Sequence, residues 1–167
     1  MTRAVIVALA AFGPMIVEAR LSRRHERALR ALGAVEPPAD VYAWMRVTYP
    51  ACFAAIAGEA WLRNTPLGSS FAAGAVTFGL AKVLKYWAIA TLGPRWTFRV
   101  LVPPRQPLIG GGPYRLMRHP NYLGVAGELA GAALMGDALI AGPVSLVLFG
   151  SLMLARIRVE ERALGRP

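Results

Sequence analysis

Two Arg, one His and two Tyr are packed into Gly112-Pro113-Tyr114-Arg115-Leu116-Met117-Arg118-His119-Pro120-Asn121-Tyr122-Leu123-Gly124, between a glycine run and an apolar block. A basic, aromatic cluster at the mouth of a hydrophobic segment can hold an anionic, adenine-bearing ligand beside a lipid. Pro120 suits the first turn of a helix. Arg118 and His119 immediately precede that turn, where free backbone N–H groups and the helix dipole also favour an anion. Glu160 and Glu161, at the end of the last apolar block, supply the opposite charge. Spacing alone leaves two readings open. The Glu pair either joins a ligand site or makes surface ion pairs with Arg156 and Arg158, and Arg118 either clamps a ligand or touches lipid headgroups.

Other ionisable groups lie inside apolar blocks. Glu128 follows Pro120 by two helical turns and shares a face with Gly124. A carboxylate there is expensive and often functional; it faces a pocket or binds a neighbouring helix, and the pocket is the expectation. Lys82 and Lys85 either snorkel toward headgroups or guard a substrate entry. Glu59 suits structural pairing. Several familiar sites are absent: there is no dinucleotide-binding glycine motif after a strand, no phosphate-binding loop and no nucleophile elbow. No His, Cys or carboxylate spacing suggests a metal, and the lone Cys52 can form no disulfide within the chain.

These residues need helices to hold them. Apolar residues make up 56% of the 167-residue chain and charged ones 17%. That is too apolar for an ordinary soluble domain. The hydrophobicity falls in five blocks, at residues 4–17, 47–62, 69–92, 121–135 and 143–155, which predicts an all-α integral membrane protein with about five transmembrane helices in a single domain over 1–167. The first block is short, and is read as a thin span kinked at Pro14 rather than a signal peptide, because the positive charge follows it. Arg20 to Leu32 predicts a separate surface helix on anionic headgroups, ended by Gly33. Trp44 and Tyr49 suit an interface belt. The segment 93–120 carries Arg95, Arg99, Arg105, Arg115 and Arg118 with Pro94, Pro103, Pro104, Pro107 and Pro113, which excludes a long helix and marks a functional connection.

A net charge of +10 alone would suit nucleic acid, but the basic residues sit at the ends of apolar blocks, so the expected partner is the bilayer and not nucleic acid. All Lys and Arg except Arg3 and Arg63 fall in 18–46, 82–120 and 156–167. The positive-inside rule then places those segments and the C-terminus in the cytoplasm and the N-terminus outside.

The string from Gly112 to Gly124 resembles the signature of the isoprenylcysteine carboxyl methyltransferase-like family, integral-membrane enzymes that use S-adenosylmethionine. The resemblance implies that Arg118-His119-Pro120, Tyr122, Gly124 and Glu160-Glu161, with Tyr114, shape a cytoplasmic cofactor pocket between the 93–120 segment and the end of the last helix. S-adenosylmethionine fits such a split of charge. Its carboxylate wants donors, its ammonium wants carboxylates and its adenine wants an aromatic or apolar slot. A branch resembling bacterial alkylresorcinol and alkylpyrone O-methyltransferases is suggested by Arg23-Arg24-His25-Glu26, Gly33-Ala34-Val35-Glu36, the segment 85–93 and Arg95-Trp96-Thr97-Phe98-Arg99. That branch implies a type III polyketide synthase pathway as neighbour and a lipophilic substrate in a bacterial cell membrane. His25 stands where Asn is common, and Val41 and Tyr49 where His is common; these departures bear on the substrate.

The implied reaction is methyl transfer to an amphiphile. A phenol or enol acceptor needs a base, for which His119, Glu128 and Tyr122 are candidates, with Arg95 and Arg99 to stabilise an oxyanion. A lipid-tailed phenol or pyrone is expected to enter between the third and fourth spans. The competing readings are a prenylcysteine carboxyl methyltransferase, a phospholipid N-methyltransferase and a non-enzymatic membrane scaffold.

Overall fold

A computed structural model describes residues 1–38, 40–102, 104 and 109–163. Arg105, which sequence reading placed in the functional connection, and Arg166, counted in the basic C-terminal segment, lie outside the described residues. The described residues form five α-helices: α1 (Thr2–Ala31), α2 (Tyr42–Arg63), α3 (Ser69–Leu92), α4 (Pro120–Gly136) and α5 (Ala141–Ala163). Among the described residues there is no strand. One isolated bridge joins Val35 to Val102.

The protein is an all-helical membrane protein. By length and hydropathy α1, α3 (continued through the 3-10 turn to Arg95) and α5 can each cross a bilayer. α4 is shorter, 17 residues or about 25 Å, and it touches all four other helices. Leu9, Ile16, Val17, Val76, Leu80, Val147 and Leu154 are exposed on the bundle's outside. In water such a surface would be costly, and in hydrocarbon it is the stable face.

Two expectations at the N-terminal end change. The thin span at 4–17 and the surface helix from Arg20 are one helix of 30 residues, with Pro14 inside it. At 1.5 Å per residue it extends about 45 Å, enough for a hydrocarbon layer plus one basic end beyond it. The charge density after residue 18 hid this continuity. Gly33 does follow its end, with φ +79°, a value that an L side chain resists. Tyr49 is not in an interface belt, because its hydroxyl turns inward to Glu128.

The α3–α4 contact is the closest in the bundle. A Cβ on Gly74 would lie 2.4 Å from the Met135 backbone nitrogen, and one on Gly131 2.5 Å from that of Phe78. Small residues let two helices approach in this way where lipid offers no hydrophobic drive between them. The expected entry of substrate between these helices is therefore closed off. Gly124 belongs to the same seam: a Cβ there would meet Lys85 Cβ at 2.9 Å. On the far side of the bundle Glu59 accepts hydrogen bonds from the backbone N–H groups of Ile140 and Ala141, at 3.2 and 2.6 Å. Those are open donors at the start of α5, so its role is a helix cap.

Candidate functional site

The basic ends of α1, α3 and α5 and the starts of α2 and α4 gather at one end of the bundle. A cavity of about 450 Å³ opens there, within the range usual for small-molecule sites. Its walls come from all five helices and from Arg95 to Val102. That connection is pinned to α1 and to the 32–41 loop. His25 Nδ1 lies 2.8 Å from the Trp96 carbonyl oxygen, and Phe98 N–H donates to Ser22 Oγ at 2.8 Å. Ser22 in turn donates to Glu26 at 2.7 Å. Arg99 pairs with Glu36 at 2.6 Å and lies over the Tyr42 ring, and Arg30 pairs with Glu36 at 2.7 Å. Burial, which raises the carboxyl of Glu36, is outweighed by these two Arg hydrogen bonds, so it sits below the usual carboxylate range.

A chain of polar contacts crosses the wall at this end of the bundle. Tyr122 donates its hydroxyl proton to Glu160 at 2.9 Å and accepts from Arg156 Nε at 2.9 Å. Arg156 also pairs with Asp40 at 3.1 Å, and both are nearly fully buried. Asp40 further accepts from the backbone N–H groups of Tyr42 and Val100, both at 3.1 Å. A buried carboxylate so surrounded is well compensated. Tyr114 stands in the same wall, where burial and then the Glu160 charge push its hydroxyl well above the ordinary tyrosine value.

The sequence-derived residues divide by position. Arg95, Arg99, Tyr114, His119, Tyr122 and Glu160 line the cavity. Glu161 stands behind His119, its carboxylate 3.2 Å from Nε2. Arg118 is largely exposed, at 72% of its side chain, and 3.9 Å from Glu161, outside the wall. Pro120 is buried at the first position of α4, and Gly124 faces α3 rather than the cavity. Arg156 pairs with Asp40 and not with the nearby glutamates. Neither Asp40 nor Arg156 stood out in the sequence. The one available signal was an Arg on the inward face of α5, three and seven residues after the buried Met153 and Phe149.

Glu128 lies one layer deeper. It is 1% exposed and joins a cluster drawn from four helices. Tyr49 donates to its Oε2 at 2.5 Å, and Lys85 Nζ lies 3.3 Å from the same oxygen. Lys85 and Lys82 also pair with Glu18 of α1, at 2.6 and 3.1 Å. The two lysines therefore do not snorkel to headgroups; both are held in ion pairs, Lys85 buried and Lys82 partly exposed. Two cations and two carboxylates make the cluster neutral, which is what allows it inside a bundle. Tyr49 and Lys85 belong both to this cluster and to the cavity wall.

The all-helical membrane bundle thus carries a mixed-charge cavity at its basic end. The chain belongs to the isoprenylcysteine carboxyl methyltransferase family, whose profile matches residues 74–166. That membership makes it a membrane methyltransferase. It is 29% identical over 147 residues to the uncharacterized protein YpbQ of Bacillus subtilis, covering 88% of each chain. It is 28% identical over 145 residues to an uncharacterized protein of Haemophilus influenzae, covering 86% of this chain and 84% of that one. No solved structure matches it.

Proposed function

We propose that the protein uses S-adenosylmethionine to methylate a hydroxyl group of a membrane-embedded phenolic or pyrone lipid. The observation that carries this reading is one cavity with two kinds of wall. Glu160, Tyr122, His119 and Arg95 make one wall polar; Met15, Met45, Pro50 and Phe149, from α1, α2 and α5, make another apolar. The residues fit the methyl donor's chemistry. Glu160 suits an ammonium, Arg95 and His119 suit a carboxylate, and Trp96 with Tyr114 suit an adenine ring. The bound cofactor supplies an electrophilic methyl group. The protein's own part is alignment and exclusion of water: the Arg95–Val102 connection covers the cavity, and the apolar wall holds a lipid tail in line.

Arg46, Arg95 and Arg99 in the wall would also suit a carboxylate acceptor, which is the competing reading. The basic end of the bundle is the cytoplasmic one in this account, with the N-terminus outside the bacterial cell membrane. The reaction supplying the substrate would be one that builds long-chain resorcinols or pyrones, such as a type III polyketide synthase. The test is purified protein with S-adenosylmethionine and pentadecylresorcinol or the matching pentadecylbenzoate, followed by mass spectrometry. A gain of one CH2 unit on the resorcinol supports the reading. Gain on the benzoate alone supports the carboxylate reading, and gain on neither contradicts both acceptor classes.

A further inference from the structure

The buried cluster behind the cavity reaches the cavity wall through the Tyr49 hydroxyl. Glu128 Oε2 accepts from Tyr49 at 2.5 Å. Its other oxygen, Oε1, lies 3.2 Å from both lysine nitrogens, yet it receives no aligned hydrogen bond among the described residues. The two ammonium groups compensate that oxygen, and Oε2 is the one placed to take the Tyr49 proton. Tyr49 connects the carboxylate to the cavity, since its ring is in the wall and its hydroxyl donates to Oε2.

We infer that Tyr49 and Glu128 form a proton relay that removes the proton of the acceptor hydroxyl during methyl transfer, with Lys85 beside the forming oxyanion. This rests on the reading given under Proposed function and names the base that a hydroxyl acceptor requires. The acceptor O–H bond breaks and its proton passes to the Tyr49 oxygen as the Tyr49 proton passes to Glu128. An O–CH3 bond forms as the S–CH3 bond of the donor breaks, leaving its electron pair on sulfur.

Charge is conserved along this route. Before the step the cluster of Glu18, Lys82, Lys85 and Glu128 is neutral and the sulfonium carries one positive charge. Afterwards the sulfide and the ether are neutral and the cluster carries that charge as a proton, with Glu18 the remaining counter-charge to both lysines. Release of the proton through Tyr49 to the cavity restores neutrality, which a buried cluster requires. The groups facing Glu128 are Glu18 from α1, Tyr49 from α2, and Lys82 and Lys85 from α3.

The test compares two acceptors on wild type, Tyr49→Phe and Glu128→Gln. One is pentadecylresorcinol; the other is its nitro derivative, already ionised at neutral pH and so without need of a base. Tyr49→Phe keeps the ring and is the safer variant should Glu128→Gln fail to fold. In Tyr49→Phe the turnover ratio of resorcinol to nitro derivative is expected to fall about 100-fold, the usual reach of general base catalysis. Calorimetric affinity for S-adenosylhomocysteine should hold. Equal slowing on both acceptors, no slowing, or lost S-adenosylhomocysteine binding in Tyr49→Phe would each overturn the relay. Wild type that binds S-adenosylhomocysteine but methylates neither acceptor overturns the relay and the acceptor class, leaving the cofactor reading intact. Wild type that does not bind it overturns the underlying function.

Discussion

Tyr122 uses one hydroxyl in two directions, donating to Glu160 and accepting from Arg156. Tyr122→Phe would leave both charged partners short of a hydrogen bond in a half-enclosed site. We expect a loss of about 1–3 kcal/mol in stability, the usual cost of stranding a buried polar group, measured by thermal denaturation in detergent. Arg118 gives the contrasting case. Its exposure and 3.9 Å separation from Glu161 make it a weak surface contact. Arg118→Ala should change S-adenosylhomocysteine affinity by no more than about fivefold, the equivalent of about 1 kcal/mol; a larger loss by calorimetry would put Arg118 in the site. The motif around Tyr122 was legible because its residue types are unusual at a helix start. The Arg156–Asp40 pair was not, since the partners are 116 positions apart. Nearby Glu160 offered Arg156 an equally plausible local partner one helical turn away. The direction of Glu128 was likewise open, because a carboxylate within an apolar block declares its cost but not its neighbour.

α3 was legible nearly to the residue, bounded by a turn at Gly68 and by Gly93. α1 was not, because a helix that leaves the membrane changes composition without changing conformation. The α3–α4 seam was also hidden: glycines in an apolar block do not say which neighbour approaches them. Gly131→Ala would press a methyl onto the Phe78 backbone, while Gly79, also mid-helix, has nothing within 4 Å of a Cβ. Gly131→Ala should destabilise by about 1–3 kcal/mol, and Gly79→Ala should be neutral or stabilising by up to about 1 kcal/mol; thermal denaturation of both variants checks the contrast. The loop clasp has its own pH dependence. Because the Glu36 carboxyl lies below its ordinary value of 4.5 in the fold, its stabilising contribution is present above that value and lost as pH falls through the lower folded one. Amide-exchange protection at Val35 and Val102, whose N–H groups form the bridge, should fall over that acidic window. Protection should be lower and flat with pH in Glu36→Gln.

At the scale of the molecule, the two ends of the bundle have different work. At one end Arg3 is buried, bonded to the carbonyl oxygens of Pro66 and Met135, and Arg63 pairs with Asp137. Both basic residues on that side are thus committed to structure. The opposite end carries the other described arginines and the cavity. The family match begins at residue 74, so it spans the Tyr122–Glu160 wall but not Glu18, Asp40 or Tyr49. In this account α3 to α5 hold the methyl donor, and α1 and α2 complete the cavity around the acceptor. The membrane class and the five apolar helices followed from the apolar blocks, whereas the fusion of the first block with the Arg20 helix and the closure of the cavity by long-range pairs did not. The most direct test of the central claim is calorimetric titration of the purified protein with S-adenosylhomocysteine, alongside Glu160→Gln. Saturable binding to wild type, weakened about tenfold or more by the substitution as expected for loss of a charge-assisted hydrogen bond, is the predicted result. No saturable heat, or equal affinity in the two proteins, would contradict the claim that this cavity holds the methyl donor.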